Sequence, residues 1–322
     1  MRSTVVFPVL SGLLLAASLS ACAPAGSDEG GAAGQPGEAN AEELPVVLTS
    51  FSVLEDMTAA VGGDLVDTRS ITPPGAEVHE YSPTPGDLRD TAEANLILFN
   101  GLGLEAWYEQ FLTQTSAEVL MVSDSVDALP VTRLPGEASA AEDPELPVNP
   151  HAWMSPAQAM IYVDNIEAAL SELSPEDADA FARNAEDYRA EIQQVWDRAA
   201  ERLEPLRATG EVHLVTCEGA FSYLAQDLEL SEHYLWPLNA EDQGSPQQVE
   251  AQIRYVAEHE VPTIFCESTV NDSAQQQVAA STGAQLSEPL HVDSVTEAEG
   301  PAPSYLELLE HDLDLIIEGA QQ

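Results

Sequence analysis

An α/β fold of two (β/α) lobes joined by one long rigid helix is what the sequence predicts, and three observations carry it. Short apolar, β-rich runs alternate with helical segments through the chain after residue 44. Between two such successions, Phe181, Ala185, Tyr188, Ile192, Val195, Ala199 and Leu203 recur at spacings of three and four with no glycine to interrupt them. The 322 residues, 44% of them hydrophobic, also suffice for about two domains with separate cores.

Residues 1–21 read as a signal peptide, because Arg2 precedes a mostly apolar run from Val5 to Leu19 that is too short and one-sided to span a bilayer. The run ends Leu19-Ser20-Ala21-Cys22, which resembles the bacterial lipobox, so that cleavage would leave Cys22 as a lipidated first residue anchored on the extracytoplasmic face of the cell membrane. An ordinary secretory signal is the alternative. Residues 22–43 continue as an acidic, Ala- and Gly-rich segment with little to bury, a flexible tether.

The first lobe is expected over 44–170, with strands at Pro45–Thr49, Asn95–Phe99 and Val119–Val122. The linking helix is assigned to 171–207; its stretch from Pro175 to Leu203 would measure roughly 44 Å at about 1.5 Å per residue. A helix belonging wholly to one lobe is the alternative. The second lobe, 208–322, repeats the pattern with Val212–Cys217, Tyr234–Leu238 and Val261–Cys266. Ser155-Pro156-Ala157-Gln158, Ser174-Pro175-Glu176-Asp177 and Ser245-Pro246-Gln247-Gln248 each supply a capping hydroxyl followed by proline, and Gln158 and Gln248 are placed to close capping boxes.

Ten basic against 56 acidic residues give a net charge of −46, and all ten basic residues are Arg. Such a field repels phosphate backbones and anionic lipid, excluding nucleic acid as a partner, and attracts cations. Abundant acid without Lys also suits high salt or alkaline surroundings, where self-repulsion is screened. The signatures of nucleotide enzymes, zinc proteases, esterases and thioredoxin-like proteins are all absent, which argues against an enzyme.

Two histidines stand in proline-flanked loops, Val78-His79-Glu80-Tyr81-Ser82-Pro83-Thr84-Pro85 and Asn149-Pro150-His151-Ala152-Trp153. A neutral imidazole held on such a loop is a good metal ligand, although a lone His there is more often simply solvated. Among the many carboxylates, Glu218 at the end of the run 212–217 and Asp293 after Leu290-His291-Val292 are distinguished by their place at strand ends. His291 is a minor further donor candidate, Glu267 is the rival carboxylate, and His213, His233, His259 and His311 read as structural or exposed.

His79-Glu80-Tyr81 with Pro83-Thr84-Pro85, Asn100-Gly101-Leu102-Gly103-Leu104-Glu105-Ala106-Trp107, Asn149-Pro150-His151-Ala152-Trp153, Glu218-Gly219-Ala220-Phe221 and Asp293-Ser294-Val295 follow one another in order. Together they resemble the motifs of the metal-binding lipoproteins of bacterial manganese, zinc and iron ABC importers, the cluster A-I substrate-binding family. The resemblance implies a metal in the cleft between the lobes, with His79 and His151 from the first and Glu218 and Asp293 from the second. It favours Glu218 over Glu267. It further implies a monomeric, non-enzymatic binding protein that serves a permease and its ATPase, and adhesion is a theme of such lipoproteins. Glu at position 218 is the manganese-type choice, although Cys217 departs from the small residue found before it in relatives.

Two imidazoles and two carboxylates can offer more than four donor atoms while cancelling a +2 charge, which suits Mn²⁺. Zinc favours four-coordination and richer N or S ligation, and zinc-type relatives tend to carry a His-rich loop where Gly136–Pro147 holds acids and no His. Zn²⁺ and Fe²⁺ remain alternatives within the family, and a siderophore-type chelate carrier of similar build is a further one. With Cys22 lipidated, Cys217 and Cys266 are left in a compartment that permits disulfides, either paired or as two buried thiols.

Overall fold

The computed structural model describes residues 44–131, 147–238 and 244–322. The signal peptide, Cys22, the tether and nearly all of the acidic loop 136–147 therefore lie outside the described residues.

The first sheet is built from β1 (Val46–Phe51), β2 (Asp67–Thr72), β3 (Leu96–Phe99) and β4 (Glu118–Met121), all parallel in the order β2-β1-β3-β4. β3 is a continuous apolar run and β1 is buried over Val47–Phe51, Thr49 and Ser50 included, because both faces of these central strands are covered. On one side Leu48, Ile97 and Phe99 pack with Tyr108 and partly buried Leu88 of α2 (Pro85–Glu93); on the other, Val47, Leu96 and Leu98 meet α1 (Ser52–Gly62) and α3 (Pro156–Leu173). β2 was not expected from the sequence. As an edge strand reading Asp67-Thr68-Arg69-Ser70-Ile71-Thr72 it is half-buried over most of its length and lacks an apolar pattern.

The second half repeats this order. β5 (His213–Glu218) pairs with β6 (Ser231–Trp236) and β7 (Thr263–Ile264) with β8 (Gln285–Leu286) as two parallel pairs, and the Phe265 amide, donating to the Val215 carbonyl at 2.8 Å, sets β7 beside β5. α6 (Pro246–Glu258) and α7 (Ser273–Thr282) cover one face through Val249, Val256 and Val278. The other joins the large core that runs continuously from α1 and α3 to α8 (Tyr305–Ala320), with α5 (Ser222–Asp227) beneath it.

α4 (Ala178–Arg207) runs between the two sheets in the chain and packs against α1, α3 and α8, thus against elements of both halves. All seven residues of its expected apolar stripe are buried. Arg198 and Arg202 pair with Glu310 and Asp314 on α8, but the partners are about half exposed, so the stripe and not the ion pairs holds the helix.

Several local expectations change. Ser174 does not cap the long helix: it ends α3, residues 174–177 turn, and Asp177 is the N-cap of α4, so 171–207 is not one helix. Ser155 does cap α3, but the Gln158 side chain accepts from the Asp127 amide instead of closing a box, a tertiary contact outcompeting a local one. The Ser245–Gln248 box forms, and Thr84–Asp87 makes another at the start of α2. The run 261–266 contributes only two ladder residues, and the strand expected at 234–238 is shifted to Ser231–Trp236.

Candidate metal centre

Parallel strands present their C-terminal ends to one crevice in each sheet, and the loops leaving them carry the site. His79 lies on the loop between β2 and α2, and Glu77 secures it by accepting from the amides of His79 at 2.9 Å and Glu80 at 3.0 Å. His151 stands immediately before a short 3₁₀ turn, Ala152–Met154, leading into α3. Its loop is fastened by Asn100, whose Nδ2 donates to the Pro150 carbonyl at 3.1 Å and whose Oδ1 accepts from Tyr162 at 2.6 Å. Buried Glu105 in turn holds the turn at Asn100, accepting from both Asn100 and Gly101 amides and from Ser50. The motif around Gly101 thus supports the site from behind.

Glu218 is the last residue of β5, and the following residue must be glycine, since a Cβ on Gly219 would lie 2.9 Å from the Pro237 carbonyl oxygen. Asp293 follows β8 on a segment tied across to the first half. Ser294 Oγ is 3.0 Å from Ser52 Oγ and accepts from the Gly75 amide, while the Trp153 indole donates to the Val292 carbonyl at 3.0 Å.

The four side chains converge. His79 Nε2 and His151 Nε2 are 3.1 Å apart; Glu218 Oε1 lies 3.7 and 3.9 Å from them, and Asp293 Oδ1 3.9 and 3.8 Å. None of the four side chains is more than 8% exposed. His79, His151 and Glu218 bring one donor atom each within 4.8 Å of one another, and Asp293 joins them through its contacts with both imidazoles.

The electrostatics suit a bound cation. Asn149 Nδ2 donates to the Gly219 carbonyl at 2.7 Å, which fixes the amide so that Oδ1 accepts from His151 Nδ1 at 2.8 Å and leaves the His151 Nε2 lone pair facing inward. Burial lowers the pKa of His79, against the pull of Glu77 and Glu80, and lowers that of His151 further with help from His79, so both rings are neutral. Asp293 is pushed up to about 7 by burial, opposed by its hydrogen bond from Thr269, and its Oδ1 has no hydrogen-bond partner among the described residues. An inward imidazole lone pair beside two buried carboxylates is costly unless a proton or a cation sits among them.

The other sequence candidates separate cleanly. Glu267 does not face the cluster: both its oxygens accept from the Glu218 amide at 3.2 Å, and burial raises its pKa to about 8. His291 turns to Ser268 and His311. Cys217 and Cys266 are joined in a disulfide, so the two residues preceding Glu218 and Glu267 are covalently linked. Three supporting roles were not read from the sequence: Asn149, quoted there only within its motif, as the acceptor orienting His151; Glu267, weighed there only as a rival ligand, beneath Glu218; and Glu77, which lies with His79 and Asp293 in a further group of donor atoms.

A family model described as the periplasmic zinc-uptake complex component A matches residues 47–319. The chain belongs to this family. The iron-binding protein YfeA of Yersinia pestis is 42% identical over 277 residues, covering 86% of each chain. The manganese ABC transporter substrate-binding lipoprotein PsaA of Streptococcus anginosus is 30% identical over 296 residues, 89% of this chain and 93% of that one. The structure of a Mn-bound periplasmic metal-binding protein from Candidatus Liberibacter asiaticus superposes with a TM-score of 0.77 at 35% identity, covering 86% of this chain and 99% of that one. This family member is accordingly a metal-binding, substrate-binding component of an ABC transporter with the two-lobe α/β architecture, and not an enzyme.

Proposed function

We propose that the chain captures Mn²⁺ outside the cytoplasm as cargo, holds it with His79, His151, Glu218 and Asp293, and delivers it to its permease and ATPase as a monomer anchored to the membrane through lipidated Cys22. The observation that carries the reading is the convergence of two imidazoles 3.1 Å apart with two carboxylates each 3.7–3.9 Å from both, Asp293 Oδ1 having no hydrogen-bond partner among the described residues. Two carboxylates can each bind through a second oxygen and raise the coordination number beyond four, which favours manganese over zinc. Iron(II) is the second reading, supported by the greater similarity to a protein named as iron-binding than to those named for manganese. The donor chemistry admits both.

Elemental analysis of protein secreted in medium holding Mn, Fe and Zn at equal low concentration tests the cargo. Mn as the dominant bound metal is expected; Fe or Zn in its place overturns the choice. Because Zn²⁺ out-binds Mn²⁺ at most N/O sites, affinity in vitro does not decide the physiological ion. Uptake of radioactive Mn by cells carrying Cys22→Ala tests the anchor, and uptake equal to wild type would refute it.

A further inference from the structure

Two of the histidines outside the inter-lobe cluster also converge. His213 opens β5, at the opposite end of that strand from Glu218, and His259 forms the C-cap of α6. Their rings lie 4.7 Å apart, and Glu211, just before β5, brings a carboxylate oxygen to 4.0 Å from His213 Nε2. One donor atom from each of the three lies within 4.8 Å of the others. They line a surface cavity of about 340 Å³ together with Glu260 and Thr209.

The cluster is oriented as a ligand set would be. His213 Nδ1 is 2.8 Å from the Tyr255 hydroxyl, and a ring that donates there keeps Nε2 bare on the side of Glu211. Tyr255 and His259 are four residues apart on α6 and so share one face, with ring centroids 4.4 Å apart. Glu211 accepts from the Ser231 hydroxyl at 3.3 Å, which draws it toward β6. Burial, and secondarily His259, lowers the pKa of His213, so the ring is neutral and available.

We propose that Glu211, His213 and His259 form a second site for a divalent transition metal, weaker than the inter-lobe site and completed by water. Two imidazoles and one carboxylate select Zn²⁺, Cu²⁺ or Ni²⁺ over hard cations such as Ca²⁺ and Mg²⁺, which favour all-oxygen shells. A tetrahedral ion with bonds of about 2.1 Å needs donors about 3.4 Å apart. The Glu211 side chain, 72% exposed, is at liberty to swing in from 4.0 Å. The site shares no ligand with the inter-lobe cluster, so it stands whichever ion is transported.

The test uses the chain free of any polyhistidine tag, stripped with chelator and titrated calorimetrically with Zn²⁺, with Co²⁺ absorption as a second readout. Wild type is expected to bind two Zn²⁺ in two steps. His213→Gln/His259→Gln should keep only the tighter, His79→Ala/His151→Ala should keep the weaker, and Glu211→Gln should weaken the second step on the order of 10-fold. Since Glu211 is exposed, Glu211→Gln decides wherever the double variant loses both steps. A single step in wild type, or a second step unchanged in Glu211→Gln and the double variant, overturns the proposal.

Discussion

Replacing Asn149 with Ala tests how the buried imidazole is presented. The side chain accepts from both the amide and Nδ1 of His151, at 3.1 and 2.8 Å, and donates to Gly219, the residue after Glu218, at 2.7 Å. Truncation therefore loosens His151, a proposed ligand from the first half, and the residue after Glu218 in the second at once. It also takes away the acceptor of two buried N–H groups of His151, the amide and Nδ1, at about 1–3 kcal/mol each before relaxation or water entry, while the Gly219 carbonyl keeps the Ser222 hydroxyl at 3.3 Å. Loss of such an orienting partner typically lowers metal affinity 10- to 100-fold, or about 1.4–2.7 kcal/mol. Asn149→Asp separates the two contributions, since a carboxylate still accepts from His151 but cannot donate to Gly219. Competition against a chromophoric chelator should rank Mn²⁺ affinity wild type, Asn149→Asp, Asn149→Ala. An Asn149→Ala protein that binds Mn²⁺ like wild type would show that the His151 orientation is set elsewhere and would refute the reasoning.

Single replacement of His79, His151, Glu218 or Asp293 by Ala should reduce Mn²⁺ affinity by more than 100-fold in calorimetric titration, with Glu267→Ala showing a smaller loss of about 10-fold through the freed Glu218 amide. Reducing the Cys217–Cys266 bond, which closes a loop with a sequence separation of 49, should cost about 4 kcal/mol on the chain-entropy model, seen as a lower denaturation midpoint, and should weaken Mn²⁺ binding through Glu218; unchanged affinity with reductant would refute that coupling. Asp312 is buried, its Oδ2 lacks a hydrogen-bond partner among the described residues, and burial raises its pKa well above the ordinary carboxylate value. The folded state thus favours the neutral acid, and stability is lost as pH rises from near 4 through the raised value. Asp312→Asn, which still accepts from the His291 amide, should therefore raise the melting temperature more at pH 8 than at pH 5. With a net charge of −46, melting should rise between low and molar salt, where the Debye length falls to about 3 Å; no rise would remove the idea of a salt-adapted surface.

The sequence by itself determined what depends on neighbours along the chain. The stripe from Phe181 to Leu203 is a matter of helical periodicity, and all of it is buried on α4. The Ser245-Pro246 start and its Gln248 partner are likewise a local hydrogen-bonding pattern, and they form. The residue types of the metal cluster were legible because His and carboxylate stand in short motifs, though bringing His79, His151, Glu218 and Asp293 to one point required the fold. Tertiary structure alone decided the rest. β2 has no apolar alternation because an edge strand needs none, and Ser174-Pro175 makes a turn because α4 must reverse onto α3. Glu267 reaches the Glu218 amide because β7 follows β5 in the second sheet. Strand order and register bring distant residues together through packing of whole faces, and side-chain periodicity along one strand carries no record of which strand will lie beside it.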